Sequence, residues 1–216
     1  QRQMCIRDRE DTVEYMSLFT ADGFEGTPID CNEGVLEWVE KDQIPELNLW
    51  EGDRIFFRLL EEQKEFFSLK LVYNKQDILE QAVLDAKELE LFDILNEDGS
   101  KTGVVKERGV AHREGALHGT VHIWIVREND KSGYDVLLQK RSDNKDSYPG
   151  CYDISSAGHI SAGDGVMESA LREFEEELGL SAQPEQLELF GTTLVKFGTT
   201  FAGKIFRDNE FSLSLI

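Results

Sequence analysis

The sequence predicts an α/β (α+β) protein. Two patterns indicate this class: short β-branched and aromatic runs separated by Gly, Asn and Asp turns, and segments with apolar residues at helical spacing. A hydrophobic fraction of 40% is enough for a core. At about 150 residues per domain, the 216 residues correspond to one and a half domains. The length therefore suggests two unequal parts.

The first part, up to residue 86, mixes strand and helix patterns. Residues 13–20, 35–41 and 65–73 are predicted strands because they are rich in β-branched, aromatic and other apolar residues. Residues 50–61 are predicted to form a helix, because the apolar positions in it fall on one face: Ile55, Phe56, Leu59 and Leu60.

The second part, from residue 88, contains a longer series of strands. Residues 96–100, with the sequence NEDGS, predict a hairpin turn because Asn, Asp and Gly accept left-handed backbone conformations. Residues 166–178 predict a helix that ends at Gly179, the residue type favoured as a C-terminal cap. The predicted strands are residues 89–95, 102–107, 120–126, 135–141, 187–197 and 210–216.

Charge and composition restrict the functions that we expect. Asp and Glu number 43 against 23 Lys and Arg, and the net charge of −20 argues against non-specific binding of nucleic-acid phosphates. We find no apolar run of membrane-helix or signal-peptide character. The three cysteines have neither zinc-site nor disulfide-framework spacing. We therefore expect a cytoplasmic protein whose partner is a small molecule, with no nucleic acid and no membrane.

The predicted helix at residues 166–178 carries an unusual concentration of acidic side chains. Glu173, Glu176 and Glu177 are spaced i, i+3, i+4 and occupy one arc of the helix, beside an apolar stripe. Like charges this close repel one another unless solvent separates them or a divalent cation neutralises them. The helix geometry alone leaves a solvated acidic face and a metal site as equal alternatives.

The residues around this helix complete a longer pattern. Residues 158–180 resemble the Nudix box, G-x5-E-x7-R-E-U-x-E-E-x-G-U, in which U is a bulky aliphatic residue. Asp164 stands at the first Glu of the pattern, and Phe174 replaces the aliphatic residue. The positions in register are Gly158, Arg172, Glu173, Phe174, Glu176, Glu177, Gly179 and Leu180.

The resemblance to Nudix hydrolases implies the Nudix fold, in which a mixed β-sheet packs between helices, and a metal-dependent pyrophosphohydrolase. The expected reaction is attack of water on phosphorus in a nucleoside diphosphate linked to another group, with Mg²⁺ or Mn²⁺ as cofactor. Carried over residue by residue, it implies that Glu176 and Glu177 hold the metal and that Glu173 is a ligand or the general base. Gly158 would offer its carbonyl group, and Arg172 would hold the carboxylates in place. Asp164 is a secondary candidate.

The histidines resemble those of a narrower group with the same fold, type I isopentenyl diphosphate isomerase. That resemblance implies a divalent metal held by His112, His118, His159, Asp208 and Glu210, with Glu210 as an alternative general base. Those isomerases use a cysteine two residues before the third histidine, and this chain has Ala157 there. We therefore expect a hydrolase with an isomerase-like frame, and keep the isomerase and an inactive fragment as alternatives.

The same resemblance points to the substrate's diphosphate. Arg141 and Lys145 lie four residues apart before a Pro-Gly turn, where that group places cations that bind diphosphate. A basic loop at a strand end is the simpler interpretation. A protein of charge −20 nevertheless needs local positive charge beside a diphosphate substrate.

The first part resembles the C-terminal portion of another Nudix domain. Residues 33–62 are similar to the tail of a MutT or 8-oxo-dGTP-diphosphatase-like domain, with a strand, an IPEL turn and a helix. The expected organisation is a non-native, adapter-like segment at residues 1–9, a half-domain without a box at 10–86, and a Nudix hydrolase domain at 88–216 that lacks its C-terminal end.

Overall fold

A computed structural model describes most of the chain as two compact units, Gln1–Glu90 and Leu91–Ile216. Both units mix strands and helices, so the predicted α/β class is confirmed. The described residues are 2–9, 12–21, 23, 25–26, 34–62, 65–131, 133–144, 149–201 and 204–216.

The first unit is a five-stranded sheet with one α-helix. The sheet has the order β2-β1-β3-β4-β5, with β1 parallel to β3 and the other neighbours antiparallel. The helix buries Ile55 and Leu59, as its apolar spacing predicted. The elements are β1 (Arg2–Arg9), β2 (Thr12–Phe19), a 3-10 helix (Lys41–Glu46), α1 (Glu51–Glu62), β3 (Ser68–Tyr73), β4 (Leu79–Leu84) and β5 (Lys87–Glu88).

The structure contradicts one expectation for the first unit and leaves another untested. The prediction of a strand at residues 35–41 is wrong, because residues 35–40 are irregular and Lys41 begins the 3-10 helix. Val35 and Trp38 are 82% and 81% exposed, so the apolar side chains of this segment do not pack into a core. The backbone of Arg2–Arg9 pairs with both β2 and β3, and the interpretation of residues 1–9 as non-native stays a prediction.

The second unit contains the remaining strands and two α-helices. Residues 96–100 form the predicted hairpin turn, in which Gly99 has a φ of 83°. The predicted helix at Val166–Leu178 is confirmed together with its cap, because Gly179 has a φ of 64° and donates its N–H to the carbonyl of Glu175. The elements are β6 (Leu91–Leu95), β7 (Lys101–Glu107), α2 (Arg108–Glu114), β8 (His118–Ile123), β9 (Ile125–Asn129), β10 (Gly133–Leu137), β11 (Gln139–Lys140), β12 (Tyr152–Asp153), β13 (Ser156–His159), α3 (Val166–Leu178), a 3-10 helix (Pro184–Gln186), β14 (Leu189–Phe201) and β15 (Lys204–Leu215).

The main sheet of this unit has the order β14-β15-β8-β6-β7, and β13 also pairs with β8. The β15–β8 pair is parallel, with Glu210 opposite His118, and the other pairs are antiparallel. His159 of β13 lies opposite Thr120 of β8. Because opposite residues on neighbouring strands point to the same face, the polar side chains of these three strands gather on one face of the sheet.

The other face of the sheet carries the apolar core. Val121 and Ile123 of β8 pack with Ala170 of α3 and Leu215 of β15, and all four are buried. Helix α3 therefore covers the apolar face, and α2 packs against β15 and β6. The sheet lies between helices, as predicted. Over the described parts of the chain, no helix is both long enough and apolar enough to cross a membrane.

Candidate functional site

The loop before α3 is fastened to the first strand of the unit. The N–H of Ala162 donates to the carbonyl of Leu91 at 2.8 Å, and the N–H of Gly163 donates to the Asp93 carboxylate at 2.9 Å. Lys101 forms an ion pair with the same carboxylate oxygen at 2.7 Å. The glycine-containing loop of the box therefore has a fixed attachment outside the box itself.

Arg172 joins the two ends of the box. Its guanidinium contacts Asp164 Oδ2 at 2.6 Å, Glu173 Oε1 at 3.4 Å and the carbonyl oxygen of His159 at 3.2 Å. The shorter Asp164 side chain thus still reaches the arginine. A planar guanidinium can serve several acceptors at once, which an ammonium group does less well.

Gly158 allows Glu173 to approach the sheet. A Cβ atom added at residue 158 would overlap the carboxyl group of Glu173. Burial raises the pKa of Glu173, and the charges of Glu177 and Glu176 add to this effect while Arg172 opposes it. A carboxyl group with a raised pKa beside a divalent ion would become the carboxylate when the ion binds.

The remaining box glutamates, Glu176 and Glu177, are both exposed. Glu177 accepts from the Ser156 hydroxyl at 2.9 Å and from the Ala157 N–H at 3.4 Å. Among the described residues, the box carboxylates are not one of the groups whose ligand atoms all lie within 4.8 Å of one another. That Gly158, Glu173, Glu176 and Glu177 share one ion stays a prediction.

Two overlapping groups do meet that distance, and both lie on the polar face of the sheet. The first is His112, His118 and His159, and the second is His118, Asp208 and Glu210. We call these five residues the histidine cluster. Its members come from α2, β8, β13 and β15, and the three ring centroids are 5.0 to 5.6 Å apart.

The imidazole rings present ligand atoms to a common centre. His118 Nδ1 lies 2.9 Å from the carbonyl oxygen of Ala116, and His112 Nδ1 lies 3.3 Å from that of Arg207. With Nδ1 donating to these carbonyls, each Nε2 keeps its lone pair. Within the described residues, the buried Nε2 of His112 has no hydrogen-bond partner. This orphaned nitrogen and the mixed imidazole and carboxylate donors fit a divalent metal ion.

Burial keeps these rings in the form that binds metal. Desolvation lowers the pKa of His159 to about 3, assisted by the positive charge of Arg108 and by the other two histidines. Desolvation also lowers the pKa of His112. Neutral imidazole is the metal ligand, so at pH 7 both rings are available to coordinate.

Glu210 has the most perturbed carboxyl group of the cluster. Burial, together with the charge and hydrogen bond of Asp208, raises its pKa to about 7. The hydroxyls of Thr120 and Ser212 lie 3.4 and 3.5 Å from Glu210 Oε2, and they bond to each other at 2.9 Å. A carboxyl group that titrates near neutral pH is suited to proton transfer.

A cleft of about 290 Å³ lies beside the end of the box helix. Arg141 is placed there by an ion pair with Asp153 at 3.0 Å. Ala157 also faces this cleft, so a methyl group stands where the isomerases carry their thiol. Lys145 lies outside the described residues. The lining residues are Gln139, Lys140, Arg141, Ser142, Asp153, Ile154, Ala157 and Glu177.

Some residues around these sites were missed from the sequence. Phe92 stacks on two of the histidines, Asp93 holds the box loop, and the charge of Arg108 reaches His159. Thr120 and Ser212 contact Glu210. The strand alternation of residues 118–122, with a polar residue at every second position, could have indicated the polar face that contains Thr120.

The sequence of this unit matches a known family. Residues 116–215 match the model of the NUDIX domain. Nudix hydrolase 3 of Arabidopsis thaliana is 50% identical over 123 residues, which are 57% of this chain and 15% of that protein. An uncharacterized Nudix hydrolase of Clostridium acetobutylicum is 38% identical over 110 residues, 51% of this chain and 52% of that protein. The chain thus spans about half or less of each relative.

Similarity to solved structures is weaker than similarity in sequence. The crystal structure of DR0079 from Deinococcus radiodurans covers 58% of this chain and 72% of that chain, with a TM-score of 0.37 and 22% identity. This TM-score is too low for the structural similarity to support an assignment.

Proposed function

We propose that the unit Leu91–Ile216 is a metal-dependent pyrophosphohydrolase that cleaves a nucleoside diphosphate linked to another group. The observation that carries the proposal is the folded Nudix box, in which Arg172 joins Asp164, Glu173 and the carbonyl of His159. This arrangement holds the partly buried Glu173 carboxylate beside β13, as hydrolysis with a bound cation requires.

Two sets of residues would hold metal ions. The box set, Gly158, Glu173, Glu176 and Glu177, offers only oxygen atoms, which suit Mg²⁺ or Mn²⁺. The histidine cluster adds three imidazoles, which suit first-row transition metals including Mn²⁺. When bound, such an ion would supply positive charge against the diphosphate and lower the pKa of a water molecule.

The general base is proposed to be Glu210 or Glu173. Both have raised pKa values because they are buried, and that of Glu210 is about 7. Each would accept the proton of the attacking water as its carboxylate. Glu210 is partly buried at the cluster, and Glu173 lies at the box, so the two assignments predict different sites for the attacking water.

The substrate's diphosphate is proposed to lie against cations at the edge of this unit. Arg141 faces the cleft beside Glu177, oriented by Asp153. Lys145 follows it by four residues. An arginine presents paired donors to phosphate oxygens, so Arg141 is the stronger candidate for orienting the substrate.

The test is hydrolysis in H₂¹⁸O by the full chain. A panel of nucleotide sugars, dinucleoside polyphosphates and nucleoside triphosphates is incubated with Mg²⁺ or Mn²⁺, and the products are analysed by mass spectrometry. We expect ¹⁸O in a phosphate group of one product and no reaction with chelator. If no member of the panel is cleaved and calorimetry detects no Mn²⁺ binding, the alternative of an inactive fragment would be favoured.

The histidine cluster favours one further candidate, an isopentenyl-diphosphate-isomerase-like activity. The cluster gathers all five residues implied by that resemblance, but Ala157 supplies no proton donor. Incubation with isopentenyl diphosphate in D₂O tests this candidate directly. Deuterium in the recovered isoprenoid would support the isomerase, and its absence together with ¹⁸O-labelled phosphate would support the hydrolase.

The first unit is proposed to be a half-domain that supplies no catalytic carboxylate. Its helix α1 ends in Glu61 and Glu62, and Glu62 pairs with Arg58 on the same helix at 2.9 Å. Substitution of both glutamates by glutamine in the full chain should leave kcat unchanged. A fall in kcat comparable to that of a box variant would contradict this assignment.

A further inference from the structure

Phe92 is the one side chain that we find in ring contact with all three histidines of the cluster among the described residues. It lies on β6 and is fully buried. We propose that Phe92 is a positioning residue that fixes the orientation of the histidine rings and thereby sets the affinity of the cluster for a divalent metal. The inference rests on the proposed role of the cluster as a metal site.

The ring geometry supports this role. The ring of Phe92 is stacked on His118 at a centroid distance of 4.7 Å and an interplanar angle of 12°. It is stacked on His159 at 4.7 Å and 19°. It also meets His112 edge to face at 6.1 Å and 87°. One aromatic ring therefore defines the planes of two ligands and limits the rotation of the third.

These contacts restrain the rotation of the imidazole rings, which decides where their nitrogen lone pairs point. The last torsion of a histidine side chain is broad, so rotation of the ring moves the nitrogen lone pair away from the centre. A hydrogen bond from Nδ1 restrains this rotation only partly, and His118 has one to the carbonyl oxygen of Ala116. Stacking against a buried ring adds a restraint perpendicular to the imidazole plane. Phe92 would thus pre-organise the ligands before an ion arrives.

Phe206 provides an internal comparison. It stacks on His112 at 4.6 Å and 22° and is only partly buried. In the described ring contacts it touches this one histidine of the cluster. Loss of the Phe206 ring should therefore affect a single ligand, whereas loss of the Phe92 ring should affect three. The expected effects on metal binding are graded in that order.

The experiment is a Co²⁺ titration of the full chain, followed by visible absorption and calorimetry, in excess Mg²⁺ to occupy the carboxylates of the box. Phe92→Leu should weaken Co²⁺ binding about tenfold or more and shift the absorption bands, the size of effect typical of residues that orient metal ligands. Phe206→Leu should weaken it less. Phe67→Leu is the matched control, because Phe67 is equally buried but lies in the first unit.

The outcomes separate this inference from the function on which it rests. Phe92→Tyr keeps the ring and should bind Co²⁺ as the wild type does, and Phe92→Met replaces Phe92→Leu if circular dichroism shows the latter unfolded. Unchanged affinity and absorption in a folded, ring-less variant would overturn the positioning role alone. If His118→Ala matched the wild type, the cluster would not be a metal site and this inference would be lost with it, whereas hydrolysis at the box is tested separately by the substrate panel.

Discussion

The box helix and the histidine cluster are neighbours in the second unit, but they are assembled in different ways. The box occupies residues 158–180 of the sequence, and the hydrogen bonds of Arg172 within it connect residues at most 13 positions apart. The cluster takes ligands from four elements, and Glu210 lies opposite His118 although 92 residues separate them in sequence. Strand β13 belongs to both sites, since the His159 carbonyl binds Arg172 while its ring enters the cluster.

The positions of the box side chains are set by local sequence spacing, whereas those of the histidine cluster are set by the register of the β-sheet. A helix fixes which side chains share an arc within a few residues, so the box depends on few long-range contacts. The cluster exists only if β15 pairs with β8 in the observed register, because a shift by one residue would turn Glu210 to the other face. We expect the box to tolerate changes in the sheet that abolish the cluster.

The largest expected effect is on catalysis at the box. Glu176→Gln should lower kcat/KM for the substrate found in the panel on the order of 100- to 1,000-fold, because the proposed assignment makes Glu176 a charged ligand of the catalytic ion. Glu175→Gln on the same helix is the matched control, since Glu175 lies outside the arc of the three box glutamates. Activity of Glu176→Gln equal to that of the control at saturating metal would exclude the box as the catalytic metal site.

The next largest expected effect is a pH-dependent change in stability caused by Glu210 of the histidine cluster. The pKa of Glu210 is raised from 4.5 to about 7 in the folded protein. Its contribution to stability is therefore fully present below pH 4.5 and is lost as the pH rises through 7. The metal-free wild type should lose on the order of 2–3 kcal/mol of unfolding free energy across this window relative to Glu210→Gln. Urea unfolding at several pH values measures the difference, with the exposed Glu185→Gln as control. Parallel pH profiles for the wild type and Glu210→Gln would contradict the assignment.

A third prediction tests whether Arg172 joins the parts of the box. Arg172→Lys keeps the charge but cannot reach Asp164, Glu173 and the His159 carbonyl together. We expect kcat to fall about 10- to 100-fold with a smaller change in KM. Arg127→Lys, at an exposed ion pair with Asp135, is the control. If both lysine variants retained full activity, charge alone would be sufficient at position 172.

The sequence was sufficient where the determinants are local. Helix α3 and its Gly179 cap were predicted to the residue, because apolar spacing and a left-handed cap are properties of adjacent residues. The strand prediction for residues 35–41 was wrong because a strand needs a neighbouring backbone to pair with, which the apolar residues of the segment cannot supply. Predicted strands at 120–126 and 135–141 are each interrupted, the first at Trp124, whose N–H donates to Leu215 instead.

The residues of the candidate sites divide in the same way. The shared arc of the three box glutamates follows from spacing alone, whereas Gly158, Asp164 and Arg172 were inferred from the resemblance to the Nudix box. The five residues of the histidine cluster were inferred from resemblance, because no spacing rule connects α2 to β15. Phe92 and Asp93 were missed because a strand alternates its faces: one of these adjacent residues faces the cluster and the other faces the box loop. Their roles depend on which strand lies beside β6, and this is a property of the tertiary fold.

The smallest expected effect is that of substituting Asp93, the residue through which strand β6 restrains the loop of the box. Asp93→Ala removes the acceptor of the Gly163 N–H, a change of about 1 kcal/mol, so kcat should fall roughly threefold to tenfold while KM changes less. Asp93→Asn keeps an acceptor oxygen and should recover most of the activity. Lys101→Met removes only the partly exposed ion pair and should have little effect. If Asp93→Ala and Lys101→Met reduced kcat equally, the Lys101–Asp93 ion pair rather than the contact of Asp93 with the loop would be important. The geometry of the box would then not depend on a restraint from β6.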